Sequence, residues 1–233
     1  MNKLYLNKRE QKHLTALVAT IGFFDGVHRG HQFLIENVKR IAKQAGMQSA
    51  VITFDLHPRQ VLHPDQSPSL LSSLDQKLAH IEATGIDNCN VLHFDKALSQ
   101  LSAKEFMQTI LKEQLNVQKL VIGYDNKFGH NRTEGFEDYQ RYGKKLGIEV
   151  VENMALDTAD EHISSSVVRK HIKNGEIKAA NHDLGYIYTL EGKIVTGFQN
   201  GHKLGYPTAN MDPKTCLQLL PADGVYAVKV KTD

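Results

Sequence analysis

The sequence predicts an α/β fold: an open, mostly parallel, doubly wound sheet of Rossmann-like kind, followed by the start of a β-rich second unit. Two observations carry that reading. Over the first 150 residues short apolar runs alternate with helical patterns, as in consecutive βαβ units. After about residue 183 the helical period gives way to strand-like alternation. A third observation places a ligand. Ile21-Gly22-Phe23-Phe24-Asp25-Gly26-Val27-His28-Arg29-Gly30-His31 joins the first apolar run to the first long helical pattern. In open α/β sheets, ligands bind beyond the carboxyl ends of the strands.

The elements follow in chain order. Residues 16–23, 50–54, 91–94, 120–123 and 148–151 are short apolar runs suited to buried parallel strands. A helix begins near Gly30 and ends at Gly46, a C′ glycine. The stretch 57–68, with three prolines, is an irregular loop. Ser73-Leu74-Asp75-Gln76 is a capping-box pattern opening a helix that stops near Gly85, and Ser102-Ala103-Lys104-Glu105 opens another through about Gln114. Residues 136–146 form a helix closed by Gly147, and Ile163-Ser164-Ser165-Ser166 opens one that ends at Gly175. Beyond it, 186–197 and 225–230 alternate as strands do, with a glycine-rich loop between them. The segment 184–233 is short for an independent core and stops without a finishing element, so the expectation is a first domain over 1–183 and a partial second domain over 184–233.

Composition limits the partners. The 233 residues contain 28 Lys and Arg against 26 Asp and Glu, a formal net charge of +2, so no bulk charge draws the chain to nucleic acid or membrane. A hydrophobic fraction of 41% and a charged fraction of 23% belong to a soluble globular protein. Cys89 and Cys216 stand far apart without ligand-like spacing, which argues against a disulfide framework or zinc site and fits a reducing cytosol. Residues 1–13 lack a signal-peptide core, and no run approaches a membrane span. The expectation is a cytoplasmic protein acting on small molecules, with no heptad stripe to indicate an oligomer.

Five segments carry chemistry. His28 and His31, at i and i+3, share a helix face, and the helix N-terminus beside them offers unpaired N–H groups to an anion. Gly26 and Gly30 permit close backbone approach. With 12 His in the chain, a chance surface pair is the plain alternative. Thr53-Phe54-Asp55-Leu56-His57-Pro58 ends the second apolar run, and Pro58 keeps His57 extended. Gly123-Tyr124-Asp125-Asn126-Lys127-Phe128-Gly129 ends the fourth, with a carboxylate and an amide able to hold a ribose or base. Ser164 and Ser165 read first as helix capping; joined by Arg169, whose guanidinium forks and keeps its charge, they also suit a phosphate. Last comes the segment from Gly197 to Asn210, three glycines around a basic loop and then Thr208 and Asn210, a hydroxyl and an amide flanking Ala209.

Taken in order, these segments resemble the bacterial bifunctional riboflavin kinase/FAD synthetase family. Gly22 to His31 looks like its HxGH nucleotidylyltransferase signature, Thr53-Phe54 with His57-Pro58 its second block, and Gly123 to Arg132 its third. Ile163-Ser164-Ser165-Ser166 with Arg169 resembles its ISSTxxR motif, and Leu204 to Asn210 the PTAN motif of its β-barrel kinase domain. The resemblance implies adenylyl transfer from Mg-ATP to FMN, giving FAD and pyrophosphate, and phosphorylation of riboflavin to FMN by the second module. It implies that His28, His31 and Arg169 are catalytic. Gly22, Phe23, Asp25, Gly26, Gly30, Asp125, Ser164 and Ser165 would bind ATP, and Phe54, His57, Pro58 and Phe128 the flavin. Gly205, Thr208 and Asn210 would serve the kinase nucleotide, the latter two as Mg2+ ligands. Asn126 stands where the family has Phe, and the family's kinase domain continues beyond the PTAN strand. The alternatives are a nucleotidylyltransferase for another phosphorylated acceptor, such as a phosphopantetheine, and a non-catalytic flavin-binding protein.

Overall fold

A computed structural model describes residues 1–6, 15–123, 126–130, 133–153, 163–197, 200–206 and 208–232. Six parallel strands form one sheet: β1 (Asn2–Leu6), β2 (Leu17–Ile21), β3 (Gln48–Phe54), β4 (Asn88–Leu92), β5 (Val117–Gly123) and β6 (Glu149–Asn153), in the order β1-β4-β3-β2-β5-β6. The chain winds outward from β2 through β3 to β4, then crosses back to lay β5 on the other side of β2. That reversal makes a crevice beyond the carboxyl ends of β2 and β5.

Strand alternation sorts the core into two layers. Leu17, Ala19 and Ile21 of β2, with Ala50, Ile52, Leu120 and Ile122, face one side. There they meet α5, which is α-helical over Ala103–Phe106 and continues as a π-helix over Met107–Gln114, and α6 (Phe136–Leu146). Val18, Val51, Cys89, Val91 and Val121 face the other side, covered by α1 (Arg29–Ala45) and α3 (Leu74–Ala83). The capping boxes of Ser73 and Ser102 and the left-handed glycines Gly46 and Gly147 form as the sequence predicts.

Strand β1 escaped the sequence reading. It is an edge strand with a half-exposed, alternating pattern and gains its definition only by pairing Asn2–Leu6 with Asn88–Leu92. Strands β4 and β5 also begin earlier than their apolar runs, because Asn88 satisfies its amide on Gln48 and the Ser49 carbonyl and the Lys119 ammonium reaches Glu149.

The remaining elements are α2 (Pro58–Leu62), α4 (Lys96–Ser99), α7 (Ser165–Lys173), α8 (Ile177–Leu184), β7 (Ile194–Val195), α9 (Asn200–Lys203) and β8 (Asn210–Met211). The strand expectations in the C-terminal segment are corrected. Of 186–197 only Ile194–Val195 pairs, antiparallel with Asn210–Met211, and 225–230 forms no strand. Val225, Val228 and Val230 lie exposed, because alternation produces a strand only where a neighbouring strand accepts its hydrogen bonds. The segment after α8 nevertheless docks on the first domain. Tyr186, Tyr188 and Leu219 pack with Leu71, Val168 and Ile172, and Leu219 N donates to Leu70 O at 2.7 Å.

Candidate active site

The turn leaving β2 is built under strain. Phe24 (φ 57°), Gly26 (φ 73°) and Val27 (φ 38°) all lie in the left-handed region, where a β-branched residue such as valine is a true outlier. Gly26 also has no space for a side chain: a Cβ would stand 2.9 Å from Leu71 Cδ1. Neighbouring segments hold this backbone in place. Ser165 Oγ donates to Asp25 O at 3.0 Å, Tyr186 OH to Gly26 O at 2.5 Å, and Gly26 N to Ser72 Oγ at 3.3 Å. Gln32 Nε2 donates to both Val27 O and Leu184 O at 2.8 Å.

His28 emerges from this turn as the N-cap of α1. Its Nδ1 accepts from His31 N at 3.4 Å, so the neutral ring carries its proton on Nε2. The His28 and His31 rings stack with centroids 3.6 Å apart and planes at 22°. Gly30 lets His28 lie there: a Cβ at position 30 would meet His28 Nδ1 at 3.2 Å and Cε1 at 3.3 Å. His31 Nδ1 is buried and makes no hydrogen bond. Burial first, then His28 and Lys77, hold the His31 imidazole well below its ordinary pKa. His57 caps α2 by accepting from Arg59 N at 3.1 Å and meets the Phe23 ring edge-on at 4.6 Å. Burial, with Arg169, Arg59 and Lys77 nearby, lowers His57 to about 4. The His31 and His57 imidazoles are neutral hydrogen-bonding groups at pH 7.

Several of the expected site residues are engaged within the fold, Asp25 first among them. It is 4% exposed, its carboxylate accepts from Leu71 N at 3.0 Å and Ser72 N at 3.3 Å, and it pairs with Arg169 Nη2. Arg169 is tied down at the same time, its Nε donating to Ser69 O at 2.9 Å. Burial raises the Asp25 pKa, and Arg169 opposes that rise. The pair is a lock beneath the turn. Ser164 caps α7 by accepting from Val167 N, and Ser165 donates to the Asp25 carbonyl.

Phe128 stacks on Tyr139 at 4.3 Å against the core. Phe54 meets Phe94 edge-on at 5.4 Å. Asp125 lies outside the described residues. Its neighbour Asn126, the departure from the family pattern, donates its amide to Ile21 O across the crevice between β5 and β2. Gly205, Thr208 and Asn210 are all exposed on the C-terminal segment.

One group went unnoticed in the sequence. Lys77 is 2% exposed, its Nζ donates to Phe54 O at 2.7 Å, and it lies 3.9 Å from the centroid of the Phe23 ring. The signal was legible, because Leu74, Lys77, Leu78 and Ile81 form an i, i+3, i+4, i+7 core stripe with a lysine in an apolar place.

A doubly wound parallel sheet whose first turn stacks two imidazoles over a helix N-terminus defines an α/β protein of the nucleotidyltransferase class. The chain belongs to the FAD synthetase family, whose sequence model matches residues 10–167. A riboflavin kinase model matches residues 184–233. Proteins named bifunctional riboflavin kinase/FMN adenylyltransferase are similar throughout. The one from Bacillus subtilis is 36% identical over 98% of this chain and 71% of its own length. That from Listeria monocytogenes is 36% identical over 93% and 68%, and that from Escherichia coli 32% over 91% and 67%. A crystal structure described as a macrolide-efflux protein from Streptococcus pneumoniae superposes with a TM-score of 0.84 at 29% identity, covering 97% of this chain and 73% of that one. Among the described residues, no helix is long and apolar enough to cross a membrane.

Proposed function

We propose that residues 1–183 transfer the adenylyl group of ATP to FMN, giving FAD and pyrophosphate, and that 184–233 belong to the module that phosphorylates riboflavin to FMN. The observation that carries the first activity is the His28–His31 stack on the N-terminus of α1, in a chain of the FAD synthetase family. An FMN phosphate oxygen attacks the α-phosphorus of ATP, and the bond from that phosphorus to the bridging oxygen breaks as pyrophosphate leaves. The nucleophile is already ionised, so no general base is needed. In-line positioning and charge stabilisation do the catalytic work. His28 donates from Nε2 toward the α-phosphate, the first amides of α1 receive the phosphates, and His57 with Pro58 borders the flavin. Incubation of the chain with ATP, magnesium and FMN tests the assignment; absence of FAD and pyrophosphate overturns it.

Among the described residues no group of three or more His, Cys, Asp or Glu is arranged to hold a metal. Magnesium therefore fits as a companion of the nucleotide, and when bound it neutralises phosphate charge. Thr208 and Asn210 suit that hard cation as neutral oxygen donors. Thr208 lies beside Gly201 and Asn210 beside Gly197, two glycines that leave no room for a Cβ.

Two expected outcomes follow from this geometry. Gly30→Ala pushes the His28 ring out of line and lowers kcat roughly 10- to 100-fold, the cost of a misplaced catalytic group. Its melting temperature stays close to wild type, since alanine suits a helix better than glycine. Steady-state kinetics beside a thermal melt check both. The neutral histidines set the second outcome. Because His31 and His57 are depressed, their unfolded forms take up protons first as pH falls, so the fold loses stability below about 6.5. Thermal melts between pH 7 and 5 check this, and a melting temperature that does not fall over that range contradicts it.

A further inference from the structure

We propose that Lys77 is a positioning residue, the fixed cation whose field draws a phosphate group of the substrate to the crevice edge between the Phe54 carbonyl and the Phe23 ring. The inference rests on the adenylyltransferase reading. Its starting point is an expense in the fold. A buried ammonium is tolerated where a carboxylate pairs with it, yet among the described residues no carboxylate lies within 4.0 Å of Lys77 Nζ. It has a carbonyl at 2.7 Å and the face of an aromatic ring at 3.9 Å. Both partners stand at the carboxyl ends of strands, Phe54 closing β3 and Phe23 following β2, which is the ligand edge of the sheet.

Charged and titratable groups from several elements surround this ammonium. Its field reaches Asp25 in the turn, Asp55 after β3, Cys89 on β4, His31 on α1 and His57 before α2. Asp25 is already paired with Arg169, and Asp55 with His93 at 2.6 Å. The two imidazoles are neutral. Arg59, beside His57, is an exposed cation at the same edge; Lys77 is the buried cation with no carboxylate in contact, and the partner that suits it is a phosphate group of ATP or of FMN. Burial lowers the ammonium to about 8, with Asp25, Cys89 and Asp55 opposing, so its charge fades as pH rises through that region.

Lys77→Met and Lys77→Arg in the full chain test this. Binding of Mg-ATP without flavin, by calorimetry, and of FMN alone, by fluorescence quenching, shows which phosphate is held. We expect Lys77→Met to weaken one of them roughly 10- to 100-fold, the scale of a unit charge several ångströms away at an effective dielectric near 20. Its melting temperature stays near wild type, the alkaline limb of the rate profile near pH 8 disappears, and Lys77→Arg restores binding with the limb moved upward. Unchanged affinity for both ligands overturns the proposal, as does equal impairment of both variants with lowered melting temperatures, the mark of packing alone. If Lys77→Met does not fold, Lys77→Arg decides, and an unmoved limb overturns it. Failure of the wild-type chain to form FAD sinks the function reading and leaves the two binding arms to judge Lys77.

Discussion

Replacing His28 by alanine lowers FAD formation by about two to three orders of magnitude, the effect of removing a donor aimed at developing phosphoryl charge. The size follows from the geometry. His28 is 6% exposed and fixed by its cap bond to His31 N, so it reaches the transition state without reorganising. Alanine also removes the cap, at about 0.5–2 kcal/mol of stability. His28→Asn separates the two roles, because asparagine caps helices well yet lacks the imidazole. The asparagine variant is expected to melt near wild type and remain as slow as the alanine variant. His31→Ala is expected to lose rate on the same scale, since the stacked ring and its buried Nδ1 define where His28 rests. Near-normal turnover in either alanine variant, measured as FAD and pyrophosphate released, removes the histidines from the chemistry.

Asp25→Ala is expected to destabilise the fold by about 3–5 kcal/mol, the loss seen when one partner of a buried ion pair is removed. Three groups are abandoned together: the Arg169 guanidinium and the amides of Leu71 and Ser72. For a chain of this size that corresponds to a fall in Tm of roughly 6–20 °C. The raised pKa of Asp25 gives the sign of its pH dependence. The folded state binds this proton more tightly than the unfolded state, so protonation in the acid range does not by itself unfold the protein through this group. The carboxylate is therefore a net burden in its charged form and still indispensable to its partners. Asp25→Asn, which keeps an acceptor for the two amides, loses less. A thermal melt of Asp25→Ala indistinguishable from wild type would show that the pair holds nothing.

The framework was legible because its signals are local. Apolar runs, capping boxes at Ser73 and Ser102, and glycines at 46 and 147 each state their structure within a few residues, and the sheet confirmed them. The histidine pair was legible for the same reason, since i and i+3 on a helix is a short-range relation. The edge strand Asn2–Leu6 was not, because half-exposed alternation takes its meaning from a partner 86 residues away. Val225 to Val230 failed in the opposite direction, presenting the alternation without the partner.

By itself the sequence determined the fold class, the alternation of strands and helices from Leu17 to Asn153, the junction where the histidine pair sits and the family it resembles. Tertiary structure alone decided what Asp25, Ser165, Arg169, Phe128 and Lys77 touch. Side-chain chemistry lists what a residue is able to bind, but long-range packing supplies its nearest partner. Asp25 meets Leu71 and Arg169, 46 and 144 residues away, and so becomes a lock under the turn. Lys77 meets a carbonyl and a ring where an ordinary buried lysine would meet a carboxylate.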